Sequence, residues 1–369
     1  MKNKQFDWIT VVPRDSHGGG SESQQINLFT HLNSLGLKCM VICLSKKDMN
    51  CWNFIEEKGR VVYFPFPYKY LKVSFILLFP FLIYYFSIYQ FKYSFSTQSL
   101  INSTFGLLKR IGVTGKTKVI VRESNSIFQL VRGLKKIRYS LGYHLGYPWV
   151  DLVICQTHLM KKNLLESMPW LEKKAKVVVI QNPIDLTLIQ QKENEVIPGL
   201  AASNYIVAAG TLTKKKGFDI LINAFDRIKE IHPELVLRIL GRGEKRKELL
   251  EQIENLGLED RVILEGFVSN VYPYFRNAKM CVISSRIEGF PNVLLQMMSQ
   301  NNRIVSTLSA GDIDKIPGIF TCITGSAVEL EKSMTISLSS EVGENRKLFD
   351  SYLQKRDTNS FLQNILTNL

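Results

Sequence analysis

The chain has 369 residues, is 45% hydrophobic and 22% charged, and carries a net charge of +14. It is too long for one ordinary domain, and its composition excludes disordered and fibrous classes. The charge is uneven: residues 1–200 hold 26 Lys and Arg against 13 Asp and Glu, whereas residues 201–369 hold 21 against 20. That asymmetry points the first half toward anionic membrane or phosphorylated substrates, and no RRM, KH or zinc-finger pattern accompanies it, so nucleic acid is set aside.

The segment MKNKQFDWITVVP opens without a long apolar run, so no signal peptide is expected. Ile9–Val12 reads as a short strand. It is followed by the loop 13-PRDSHGGGSE-22 and a helical pattern over Gln24–Leu35. Glycines between a strand and a helix let backbone N–H groups approach an anion at the helix N-terminus. Read alone, the motif is equally a flexible βα turn. Cys39–Leu44 and Val61–Phe64 are further strand candidates. The run 73-VSFILLFPFLIYYFSIYQF-91 has no charge between Lys72 and Lys92 and reads as one helix. Its length reaches the lower edge for a membrane span. A partly buried, partly membrane-dipping helix is the favoured reading over a buried soluble helix or a true span. Lys69, Lys72 and Lys92, with Tyr68, Tyr70 and Tyr93, give it interfacial flanks.

Lys118–Val121, Leu152–Cys155 and Val177–Ile180 are buried-strand candidates, the last ending at the turn 181-QNPID-185. The pattern then restarts. Tyr205–Ala209 reads as a strand, 210-GTLTKKKGFD-219 as a loop and Ile220–Ile231 as an amphipathic helix. Leu235–Leu240, the loop 241-GRGEKR-246 and the helix Lys247–Leu256 follow, then strands at Val262–Leu264, Met280–Ile283 and Arg303–Ser306. Alternating strands and helices imply parallel sheets covered on both faces. Two such series predict two doubly wound, Rossmann-like domains. The expected division is 1–185, 186–345 and a C-terminal helix at 346–369 that packs back on the first domain. Ligands then belong at the carboxyl ends of the strands.

Two motifs in the second half carry chemistry. Lys216 in 214-KKKGFD-219 follows a strand directly and is placed to reach phosphate, while Lys214 and Lys215 read as solvated loop residues. In 284-SSRIEGFPNVLLQMMSQ-300, Pro291 suits the first turn of a helix. The backbone of Phe290, Asn292 and Val293 then forms a phosphate seat at the positive end of the helix dipole. Glu288 repels phosphate and is suited to accept hydrogen bonds from sugar hydroxyls. Gln296 lies about one and a half turns into that helix, on a side that can share the site.

The stretches GGGSE, VVVIQNPID, GTLTKKKGFD, ILGRGEKRKELLEQIENLGLEDRVILEGF and SSRIEGFPNVLLQ resemble the retaining glycosyltransferases of family 4, over roughly residues 8–330. The resemblance is most specific between 205 and 300. It implies the GT-B fold, an α/β arrangement of two Rossmann-like domains facing across a cleft. It also implies that Gly19, Gly20 and Lys216 meet the donor diphosphate, that Phe290, Asn292 and Val293 hold phosphate, that Glu288 contacts the transferred sugar, and that position 296 touches the ribose. Two positions depart from the family pattern. Thr211 stands where an Arg often supplies a second diphosphate cation, and Gln296 replaces the second acid of an E-x7-E element. The lost negative charge at 296 offsets in part the lost positive charge at 211. A family His in the N-terminal half also has no direct counterpart in 122-RESNS-126. Glu123, Ser124, Asn125 and His17 are the candidates for its cleft contact. His31, His144, His158 and His232 lack ligand spacing, and neither a metal nor another cofactor is expected.

The reading is a metal-independent enzyme peripheral to the inner face of a bacterial membrane. It would move a sugar from a nucleotide sugar, UDP favoured over GDP, to a polyprenyl-diphosphate-linked saccharide in O-antigen or capsule synthesis. A degenerate scaffold subunit, or a GT-B enzyme with a soluble acceptor, is the alternative.

Overall fold

The computed structural model describes residues 4–15, 20–46, 49–197, 200 and 204–369. The chain forms two compact units, Met1–Pro183 with Thr358–Leu369, and Ile184–Asp357.

The first unit runs β1 (Lys4–Val12), α1 (Gly20–Ser34), β2 (Cys39–Cys43), β3 (Arg60–Tyr63), α2 (Leu71–Ile88), β4 (Tyr89–Ser96), α3 (Ser99–Arg110), β5 (Lys118–Arg122), α4 (Ile127–Leu130), α5 (Gly133–Gly146), β6 (Leu152–Cys155), α6 (His158–Ser167) and β7 (Lys176–Val179). Its seven strands are parallel in the order β3-β2-β1-β4-β5-β6-β7. Strand order reverses between β1 and β4, the switch point of a doubly wound sheet.

Burial follows from the sheet being covered on both faces, which demands near-continuous apolar strands. Every residue of β2 and β6 is buried. One face carries Leu78, Leu82, Tyr85 and Phe86 of α2, Ile101, Phe105 and Leu108 of α3, Tyr143 of α5, and Met160 and Leu164 of α6. The other carries Ile26, Phe29 and Leu32 of α1.

The second unit runs α7 (Leu186–Lys192), β8 (Tyr205–Ala209), α8 (Phe218–Ile228), β9 (Val236–Leu240), α9 (Arg246–Asn255), β10 (Val262–Gly266), α10 (Tyr272–Asn277), β11 (Met280–Ile283), α11 (Asn292–Gln300), β12 (Ile304–Thr307), β13 (Phe320–Cys322), α12 (Ala327–Ser339) and α13 (Asn345–Gln354). Its parallel sheet has the order β10-β9-β8-β11-β12-β13, reversing between β8 and β11. The last helix, α14 (Thr358–Thr367), belongs to the first unit, where Phe361, Leu362 and Ile365 join the core beside α1.

Three differences from the sequence reading have physical reasons. The apolar run 73–91 is not one helix: α2 stops at Ile88 and Tyr89 begins β4. From there the residues alternate aromatic and polar (Tyr-Gln-Phe-Lys-Tyr-Ser-Phe-Ser), which is a strand period. The unit boundary falls after Pro183 rather than after residue 185. The returning segment begins at Thr358 rather than 346, because Phe349 and Leu353 of α13 are buried in the core of the second unit. All six cysteines are buried and free.

Among the described residues, Tyr68–Ile88 is the one helical segment long and apolar enough to cross a membrane, by length and composition alone. Only its inner face is buried. Val73, Ile76, Leu77, Ile83 and Tyr84 lie exposed at helical spacing on the other.

Candidate active site

In the second unit, three loops converge at the carboxyl edge of the sheet, and glycines let them do so. Gly241 follows β9, and a Cβ there would lie 1.9 Å from the Gly210 carbonyl oxygen of the loop after β8. Gly217 has φ +65°, and a Cβ on it would lie 2.2 Å from the Ser284 carbonyl oxygen of the loop after β11. Gly217→Ala is therefore expected to destabilise the fold by roughly 2 kcal/mol or more, combining left-handed strain with a backbone clash. Urea unfolding of the variant measures it.

This packing brings two of the predicted residues together. Lys216 Nζ donates to Glu288 Oε1 at 2.5 Å, across loops that are far apart in sequence. The sequence reading assigned them separate partners, diphosphate and sugar; here each occupies the other. Ser285 Oγ also donates to Glu288 Oε1 at 2.8 Å, and the Glu288 N–H donates to the Ser309 carbonyl at 2.8 Å. The Lys216 side is fixed as firmly. Ser284 Oγ donates to the Lys216 carbonyl at 2.9 Å, and the Arg286 N–H to the Lys215 carbonyl at 2.7 Å. Arg286 then grips Asp219 with both terminal nitrogens, at 2.7 and 2.6 Å. Burial raises the Asp219 pKa, but the Arg286 hydrogen bonds and charge outweigh it and hold the carboxyl below its usual range.

Four residues beyond Glu288, α11 begins at Asn292, with Pro291 at the cap position rather than inside the first turn. Leu294, Leu295, Met297 and Met298 are buried, which fixes the helix and aims its positive end at the loop. Val293 lies in its first turn. Phe290 is buried beneath Arg356, whose guanidinium carbon lies 5.5 Å from the ring centroid. Gln296 is half-buried, and its side chain offsets in part the burial that raises the pKa of the Tyr272 hydroxyl. Thr211 is exposed, at the loop position where the family resemblance expects a cation.

Sequence reasoning missed several supporting groups. Ser285 sits three residues from Glu288 and was legible as a neighbour. Arg356 and Tyr272 come from elements far off in sequence, with no local signal. The motif reading counted no D-x-D pair, which is wrong: Asp312-Ile313-Asp314 is one. Asp312 takes Lys315 Nζ at 2.7 Å from a left-handed turn, and Asp314 is exposed. Among the described residues no cluster of three or more His, Cys, Asp or Glu could hold a metal ion.

In the first unit, His17 and Gly19 lie outside the described residues, and Gly20 is the first residue of α1. Glu123 is not a solvent-facing contact. It is buried, and its two carboxyl oxygens accept from the hydroxyls of Tyr143 (2.6 Å) and Tyr147 (2.5 Å), whose rings stack on each other. Asn125 lines a small hollow with Ser126, Phe128, Gln129 and Asn163. Ser124 Oγ donates to the Thr97 carbonyl at 2.6 Å.

Burial raises the Glu123 pKa despite the two tyrosine hydrogen bonds. A carboxyl whose folded pKa exceeds its unfolded value binds its proton more tightly when folded, so it loses stability as pH rises between the two values. Glu123→Gln is thus expected to raise the melting temperature at pH 8. The gain should shrink as pH falls through the carboxylate range, and melting curves from pH 4 to 8 check it.

Residues 190–316 match the family described as Glycosyl transferases group 1. The chain is 31% identical over 207 residues to an uncharacterised glycosyltransferase of Methanocaldococcus jannaschii, covering 54% of this chain and 50% of that one. It is also 31% identical over 194 residues to N-acetylgalactosamine-N,N'-diacetylbacillosaminyl-diphospho-undecaprenol 4-alpha-N-acetylgalactosaminyltransferase of Campylobacter jejuni, covering 52% and 51%. The chain thus spans about half the length of these curated relatives. Among solved structures, Anabaena HepE in complex with UDP-glucose aligns over 99% of this chain and all of its own, with a TM-score of 0.78 at 17% identity. The two parallel-sheet α/β units are those of the GT-B fold.

Proposed function

We propose that the chain is a retaining glycosyltransferase of family 4. It takes a sugar from a nucleotide-diphosphate donor and passes it to a lipid-linked saccharide during O-antigen or capsule synthesis. The observation that carries this reading is the Lys216–Glu288 pair in front of the positive end of α11. As the donor's glycosidic bond breaks, negative charge grows on the leaving diphosphate. Lys216 and the α11 N-terminus stabilise it, with Phe290, Asn292 and Val293 supplying backbone N–H groups. Glu288 accepts hydrogen bonds from the sugar hydroxyls and orients the ring. The departing phosphate oxygen takes the acceptor's proton on the same face, which retains the anomeric configuration. No metal or other cofactor is assigned a part, and Gln296 is assigned to the ribose.

UDP is the preferred donor nucleotide, and the Anabaena structure holds UDP-glucose. A polyprenyl-diphosphate acceptor is supported by the name of the Campylobacter protein and by the exposed apolar face of α2. Peripheral attachment to the inner face of the bacterial cell membrane belongs to the same proposal, and the exposed face of α2 supports membrane contact. A thermal-shift titration with UDP, GDP and their sugars tests the donor site. One nucleotide series at a hundred times its dissociation constant should add about 2.7 kcal/mol of stability. No shift with any nucleotide sinks the transferase reading in favour of a scaffold, which the exposed Thr211 would then explain.

A further inference from the structure

The basic excess of the first unit is concentrated in one stretch. Residues 58–150 contain 14 Lys and Arg and a single acid, Glu123. That acid is buried beneath two tyrosine hydroxyls. The stretch builds α2, α3 and α5, so these three helices present no carboxylate to solvent.

Within it, α5 is exposed in an unusual way. Every residue from Arg132 to Arg138 is exposed, although the helix begins at Gly133. Leu134 is 85%, Ile137 65% and Leu141 59% exposed, and Leu145 continues the same stripe at spacings of three and four. Arg132, Lys135, Lys136 and Arg138 stand beside it. The far end of the helix is fixed. Gly146 packs on α3 so tightly that a Cβ on it would lie 2.3 Å from the Ser103 carbonyl oxygen, and one on Gly106 would lie 2.2 Å from the Gly146 carbonyl oxygen. The apolar stripe is therefore held out on a rigid helix.

The outer stripe of α2, with Ile76 at 74% exposure, belongs to the same layer: α2, α3 and α5 all contribute to the core on one face of the sheet, and α1 and α14 lie on the other. Exposed Tyr68, Tyr70, Tyr84 and Trp149 are scattered over that layer, and Arg110 stacks on Trp149. Aromatic rings, basic side chains and apolar stripes on one surface match the headgroup region of a bilayer. A second copy of this face is a poor occupant, since both surfaces would be basic with no acid to pair.

We propose that α5 is a second membrane-contacting helix. Leu134, Ile137 and Leu141 enter the interfacial region of an anionic bilayer, and Arg132, Lys135, Lys136 and Arg138 meet lipid phosphates. It rests on the membrane-bound reading given above but names an element which that reading does not need. Two contacts fix the orientation of the first unit on the bilayer, where α2 alone leaves it free to roll about one helix axis.

Vesicle sedimentation of the full chain tests this, with phosphatidylcholine alone and with added phosphatidylglycerol. The wild type should bind the anionic vesicles and not the neutral ones. The triple variant Leu134→Ser/Ile137→Ser/Leu141→Ser should lose roughly tenfold or more in partitioning, while its circular dichroism and its nucleotide-induced thermal shift stay unchanged. If that variant binds like the wild type and Ile76→Ser/Leu77→Ser/Tyr84→Ser does not, the α5 proposal is overturned and the α2 reading stands. If the wild type ignores anionic vesicles, both are overturned. A dimer by light scattering that the α5 variant turns into a monomer, without vesicle binding, would overturn the proposal in favour of a second copy.

Discussion

Lys216→Ala is expected to weaken nucleotide-sugar binding by about 10- to 150-fold, the equivalent of one charged hydrogen bond of roughly 1.5–3 kcal/mol. The reason is local. On the proposed assignment Thr211 supplies no charge and Lys216 is the cation that meets the diphosphate, with its stem laid over Gly210 (a Cβ there would lie 3.2 Å from Lys216 Cε). The variant should fold normally, since Lys216 is only half-buried and its backbone is held independently by Ser284. Calorimetric titration with UDP measures the loss. An unchanged affinity would move the diphosphate away from this loop. Lys216→Arg should recover only part of it, because a planar guanidinium does not reproduce the compact ammonium that sits against Glu288.

Glu288→Gln should separate binding from chemistry. Glu288 holds the ammonium that the proposed function assigns to the diphosphate. A donor must share or displace that contact, which costs part of its binding energy. Removing the carboxylate charge frees Lys216, so UDP affinity should hold or rise several-fold. Sugar transfer should still fall by about 100-fold or more, since the ring loses its charged acceptor and a like-placed amide cannot replace it. Steady-state kinetics beside UDP titration reads both. A parallel loss of UDP affinity would show that Glu288 serves to position the lysine rather than the sugar. The double variant with Lys216→Ala should be less impaired than the two single effects combined, because the groups touch.

How much of this was legible depends on the range of the signal. The second unit was readable strand by strand, because short apolar runs alternate with glycine loops and amphipathic helices. Lys216, Glu288 and the α11 turn could be named as candidates because each is a local pattern. Their mutual contact was not, because nothing in a one-dimensional string brings position 216 to position 288. In the first unit, β4 was hidden behind the apolar run of α2, where hydrophobicity without a polar face erases the helix period. The α5 helix escaped for the opposite reason: its leucines point outward, so burial logic had nothing to find. Glu123 looked like a site residue by its place after β5, and only the positions of Tyr143 and Tyr147 show that its carboxyl is occupied.

The return of α14 to the first unit makes that unit discontinuous along the chain. During synthesis, its sheet emerges early but the pocket beside α1 stays open until Phe361, Leu362 and Ile365 arrive. The whole second unit is translated in between. An excised fragment ending at Pro183 would carry that gap permanently, with apolar side chains facing water. Separating the two units for study therefore calls for a permuted chain, in which the α14 segment is joined ahead of β1 or after β7, and not for a simple cut.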